Sequence, residues 1–139
     1  MRPVSVGNGS DFVAASLRVD ASLLNTLGLV PTAVAVGRGA DGKALFTLEL
    51  ARFGSDLVLR ALTKNANGAT QRSDWQTVQL NQNLFTFAWQ TASSLGNDGY
   101  LKIGGSSAAL LSADNEHDRL TQLWVVVQNS VPWLVLISN

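Results

Sequence analysis

The chain has 139 residues, no cysteine, one histidine, and ten basic residues balanced by ten acidic ones, so its formal charge is zero. A single domain of this length buries roughly 68–70% of its unfolded surface, enough for a core without disulfide or metal. The composition excludes disulfides, thiolate zinc centres, iron–sulfur clusters, a cysteine nucleophile and multi-histidine metal sites, and it lacks the basic footprint of a nucleic-acid binder.

The opening Met1-Arg2-Pro3-Val4-Ser5-Val6-Gly7-Asn8-Gly9-Ser10 has no apolar core of the kind a secretory signal needs. Residues 1–11 are expected to form a flexible arm ahead of one domain over 12–139. From there the apolar residues repeat with a period of two, the mark of half-buried strands. Strands are expected near 12–19, 33–37, 44–52, 57–63, 74–80, 84–90, 99–103, 107–112, 120–128 and 131–137. After the first of these, Asp20 predicts the cap of a short helical turn that holds Leu23, Leu24 and Leu27 and stops at Gly28.

Gly37-Arg38-Gly39-Ala40-Asp41-Gly42 matches the G-x-G-x-x-G string of dinucleotide sites. Such a site needs the last glycine to open a helix, whereas residues 44–50 alternate like a strand. The string is therefore read as a hairpin turn around Asp41-Gly42. The strands 44–52 and 57–63 predict a second hairpin closed by Phe53-Gly54-Ser55-Asp56, which sets Glu49 opposite Arg60. Phe85, Phe87 and Trp89 alternate with Leu84, Thr86 and Ala88, which places Trp89 in the core. The longest apolar runs, 123–127 and 131–137, fall far short of the roughly 20 residues that span a bilayer, so a soluble chain without membrane insertion is expected. About nine or ten short strands with regular turn signals predict an all-β fold, an antiparallel two-sheet sandwich of the jelly-roll kind.

Chemistry-bearing residues are few. His117 is alone in the acidic stretch Asp114-Asn115-Glu116-His117-Asp118, no serine stands in a G-x-S-x-G setting, and the two glutamates, Glu49 and Glu116, sit apart. These absences predict a chain that is not an enzyme. The acidic stretch is not an EF-hand loop, because Arg119 stands where the sixth-position glycine belongs and Val125 where the closing glutamate belongs. Tryptophans are the remaining candidates, since indole rings stack on sugars and anchor interfaces. Trp124 shares its strand face with Gln122 and Gln128, and Trp75 faces as Thr77 does, so these two are expected to point outward and bind ligand. Trp133 follows Pro132 within the last apolar run.

Phe85-Thr86-Phe87-Ala88-Trp89-Gln90-Thr91-Ala92-Ser93-Ser94, followed by Gly96-Asn97-Asp98-Gly99-Tyr100-Leu101, resembles the laminin-G-like, concanavalin-A-like jelly-roll modules of bacterial surface proteins. Ser112-Ala113-Asp114-Asn115-Glu116 is similar to their Asp/Asn loop, and the 39–50 and 57–61 segments to their first central hairpin. The chain departs from that pattern at Gly104-Gly105 and in its acid-free run 131–137. The resemblance implies a two-sheet module that binds a glycan or protein surface, located outside the cell. It also implies calcium as the one possible cofactor, held at a rim by Asp98 and Asp114.

A second functional expectation is a self-assembling structural subunit, such as a virion decoration, filament or shell protein. Zero net charge and few charged residues favour association. The two ends, 1–11 and 131–139, would then make homo-oligomer contacts, the second because an uncharged apolar edge strand invites pairing.

Overall fold

A computed structural model describes residues 1–6, 12–20, 25–39, 42, 44–64, 70–78, 84–90, 99–103, 109–113, 119–128 and 131–138. Alternating apolar and polar side chains build strands through nearly all of them. In chain order these are β1 (Arg2–Ser5), β2 (Phe12–Val19), β3 (Thr32–Gly39), β4 (Ala44–Phe53), β5 (Asp56–Lys64), β6 (Thr70–Arg72) and β7 (Gln76–Val78). There follow β8 (Leu84–Gln90), β9 (Gly99–Ile103), β10 (Ala109–Ala113), β11 (Leu120–Val125), β12 (Val127–Gln128), β13 (Val131–Pro132) and β14 (Leu134–Ser138).

The fold is an all-β sandwich of two antiparallel sheets. The larger sheet is seven-stranded, in the order β1-β11-β3-β4-β5-β6 with β7 also on β5. The smaller is five-stranded, in the order β10-β9-β8-β2-β14. All pairs are antiparallel, including the small β12–β13 ladder.

Several segments differ from the sequence expectation, three of them because of a partner distant in the chain. Residues 2–5, within the expected arm, run along β11 as β1, and Val4 packs against the core. The strand expected over 120–128 breaks at Val126, whose N–H donates to the Val34 carbonyl at 2.9 Å and whose own carbonyl accepts from Trp133 at 2.7 Å. The strand expected over 131–137 breaks at Trp133, whose carbonyl accepts from Asp20 at 3.1 Å and so hands the chain to β2 in the other sheet. A single sequence run thus serves the β12–β13 ladder and the smaller sheet. Of the expected helical turn, residues 21–24 lie outside the described residues; Asn25 and Thr26 form a 3₁₀ turn and Leu27 is buried.

The core lies between the inward faces. Leu48, Leu50, Leu57, Leu59, Leu123 and Val125 come from the larger sheet, and Leu17, Phe85, Trp89, Leu101 and Ile103 from the smaller. Burying each large aliphatic side chain contributes about 1.5–3 kcal/mol. Phe46 and Trp89 stack across the sandwich with ring centroids 5.5 Å apart. Phe46 also lies on Gly37, its direct cross-strand partner, where any Cβ would overlap the Phe46 ring. Gly37 is therefore a seat for an aromatic ring, and Gly42, with φ of 82°, completes the turn by donating to the Gly39 carbonyl at 3.0 Å. A hairpin and not a phosphate loop occupies the glycine-rich string.

Candidate functional site

The outer face of the larger sheet collects the chain's unusual side chains. On β11, Leu123 and Val125 point into the core, so Gln122 and Trp124 point out. The register then sets Trp124, Val36, Thr47 and Leu62 in one row across β11, β3, β4 and β5. All four are half-buried. Arg38 pairs with Gln122 and so lies diagonal to Trp124, and its guanidinium sits over the indole at 5.6 Å from the ring centroid. Two hydrogen bonds hold this pair in place. Arg38 Nη1 donates to the Gly42 carbonyl at 3.0 Å, and Trp124 Nε1 donates to Gln122 Oε1 at 3.1 Å.

A second aromatic pair occupies the same face near the other edge. Arg60 on β5 carries its guanidinium 4.4 Å from the Trp75 ring centroid. Its Nε donates to Glu49 Oε1 at 2.8 Å, with side chains 21% and 17% exposed, which fixes the direction from which the guanidinium meets the ring. Glu49 and Arg60 are direct cross-strand partners, as the two-residue loop between Phe53 and Asp56 requires. Phe53 meets Trp75 edge-on at 5.3 Å. Beyond Phe53, the Arg52 N–H donates to the Gly28 carbonyl at 2.8 Å, which brings exposed Leu29 and Val30 beside this end of β4.

Trp75 owes its place to a break in the edge. β6 and β7 both pair with β5 but leave residues 73–75 off the ladder. Ser73 fills the gap: its N–H donates to the Ala61 carbonyl at 2.9 Å, and its Oγ accepts from the Ala61 N–H at 2.9 Å. The hydroxyl donates in turn to the Asp74 carbonyl at 3.1 Å. With the backbone of β5 satisfied by a side chain, Trp75 is released to lie over Arg60.

The two tryptophans expected to face outward therefore share one sheet face, each against an arginine. Arg38 and Phe53 were not singled out as site residues from sequence. The parity that sets Arg38 on the face of Val36 was available, but its register with β11 was not. Trp89 is buried as expected, and Trp133 is buried with an Nε1 that has no hydrogen-bond partner among the described residues. Asp98, Asp114 and His117 lie outside the described residues. Among the described residues no three His, Cys, Asp or Glu side chains are grouped to hold a metal ion. Among them, too, no helix is long and apolar enough to cross a membrane.

No family model matches the chain, and no curated protein matches it. Among solved structures it is similar to an alginate lyase from Pseudomonas aeruginosa, at 15% identity and a TM-score of 0.46, over 92% of this chain and 64% of that one. The chain thus spans under two thirds of the lyase's length, and at this identity the likeness concerns the fold alone. That neighbour is an enzyme, contrary to the expectation, drawn from the sparse acids and lone histidine, that this chain is not one, and the likeness assigns no activity to this chain. Sparse chemistry in a sequence does not exclude catalysis, because a site assembles from residues distant in the chain.

Proposed function

We propose that the chain is a glycan-binding β-sandwich module of the laminin-G-like, jelly-roll kind, with the outer face of the seven-stranded sheet as its binding surface. The observation that carries this reading is the pair of arginine–tryptophan contacts, Arg38 on Trp124 and Arg60 on Trp75, on one sheet face. A sugar ring presents an apolar C–H face and a rim of hydroxyls. An indole takes the first, and guanidinium N–H groups beside it take the second. Between the two pairs run Val36, Thr47 and Leu62, an uncharged strip with no side chain to repel a neutral polymer. Strands about 4.8 Å apart set β11 and β5 about 15 Å from each other, room for several sugar units in a row.

The test is affinity electrophoresis of the wild type, W124A and W75A against a panel of polysaccharides. The wild type is expected to be retarded by at least one polymer, and each substitution to weaken binding about tenfold, equivalent to about 1.4 kcal/mol. Absence of retardation on every polymer, or full retardation of both variants, refutes the reading. The calcium expectation is tested in the same samples. A thermal shift on adding calcium that is lost in D98N and D114N supports a rim site at Asp98 and Asp114, and an unshifted wild type removes it.

A further inference from the structure

β1 lies at the edge of the larger sheet, directly beside Trp124. Its register on β11 sets Pro3 opposite Trp124 and Ser5 opposite Gln122. Cross-strand partners share a sheet face. Pro3 and Ser5, both exposed, therefore stand on the outer face with the indole and its Gln122 acceptor.

The phase of the ladder decides how close Pro3 comes. Val6 N–H donates to the Thr121 carbonyl at 3.2 Å, which makes Val6 and Thr121 a hydrogen-bonded pair. Such pairs alternate along an antiparallel ladder, so Val4–Leu123 is hydrogen-bonded too and Pro3–Trp124 is not. Proline, which has no N–H, thus occupies a position where the ladder asks for none. Partners of this second kind also lie closer, with Cα atoms about 4.5 Å apart against about 5.5 Å, so the pyrrolidine ring stands beside the indole. Trp124 is bounded by Pro3 on the β1 side and by the Arg38 guanidinium on the β3 side.

β1 is held lightly. It is four residues long, three of its side chains are exposed, and among the described residues it pairs with β11 alone. Its apolar anchors are Val4, which packs on the core, and Val6, buried just beyond its end. Short, exposed edge segments open locally at far lower cost than the centre of a fold.

We propose that β1 is part of the glycan-binding surface: Pro3 is the outer wall of the Trp124 subsite, and docking of β1 and occupation of that subsite stabilise each other. A sugar ring lying on the indole brings its rim against whatever flanks the indole. The apolar pyrrolidine receives C–H groups on one side, and Arg38 donates to hydroxyls on the other. With β1 detached, Trp124 keeps only the arginine and becomes a weaker seat. The factor that docking of β1 adds to binding is, by linkage, the factor that bound polymer adds to the docking of β1. The coupling rests on the reading of this face as a glycan-binding surface.

The test uses the full chain and the polysaccharide that retards it in affinity electrophoresis. Pro3→Ala keeps the strand and removes the ring, whereas Val4→Asp sets a carboxylate against the core and detaches β1. P3A is expected to bind about threefold more weakly and V4D about tenfold, both with a single cooperative melt. Amide exchange of the wild type depends on neither variant: saturating polymer should slow the Val4 and Val6 amides by roughly the same tenfold. W124A should abolish that protection. If no polymer binds the wild type, the glycan-binding reading fails and the coupling falls with it. A wild type that binds, with P3A at full affinity, overturns the coupling alone. So do Val4 and Val6 amides that ignore the polymer, and protection that survives W124A.

Discussion

Gly37 shows how one missing atom organises a core. Phe46 rests on Gly37 within the larger sheet and on Trp89 across the sandwich, so a Cβ at 37 displaces a ring that both sheets use. Gly37→Ala is expected to cost about 1–3 kcal/mol, the usual price of overpacking, and to change the near-ultraviolet circular dichroism of the Phe46–Trp89 pair. A variant as stable as the wild type would show that the ring has somewhere else to go. Glu49 and Arg60 act at the same scale. Their half-buried contact should give a coupling energy of about 0.5–1 kcal/mol in a double-mutant cycle of E49A and R60A, measured by urea unfolding. Zero coupling would mean that Trp75, not Glu49, holds the arginine in place.

At the scale of the element, the β4–β5 hairpin and its β6–β7 edge are set by two small residues. Gly54 turns the hairpin with φ of 64°, so Gly54→Ala is expected to cost about 1 kcal/mol in thermal or denaturant unfolding, without altering the Glu49–Arg60 register. Ser73 replaces a strand's backbone on β5, and Ser73→Ala leaves the Ala61 N–H buried without its acceptor. The expected loss is about 1–3 kcal/mol. It should be accompanied by a change in Trp75 fluorescence, because the same residue sets where that indole lies. A Ser73→Ala protein with wild-type stability and fluorescence would place the control of Trp75 elsewhere.

For the whole molecule, one core joins both sheets, so unfolding should be a single event. Leu48 lies fully buried beneath the centre of the larger sheet. Leu48→Ala is expected to lose about 2–5 kcal/mol, a large part of the 5–15 kcal/mol that domains of this kind possess. Far- and near-ultraviolet signals should still melt together. Separate melting of the two sheets would show that Phe46 and Trp89 couple them only weakly. Aromatic–arginine pairs occupy the outer face of one sheet, and an uncharged edge strand belongs to the other.

Much of this was legible in the chain because the information was local. A period of two marked β2, β8 and β9 at their observed bounds, and a two-residue loop counted Glu49 onto Arg60. The glycine-rich string followed by a strand was enough to read a hairpin. Parity along a strand also turned Trp89 inward and Trp124 outward. What needed the tertiary structure was everything decided by a neighbour far away in sequence. Residues 120–128 and 131–137 read as two strands, yet Val126 and Trp133 break them because their backbone groups answer Val34 and Asp20. Residues 2–5 look like a tail until β11 offers them an edge. Nothing in the order of residues says that Arg38 and Arg60 end over different tryptophans on the same face. Alternation assigns a side chain to one side of its own strand, but strand order and register decide which side chains meet there.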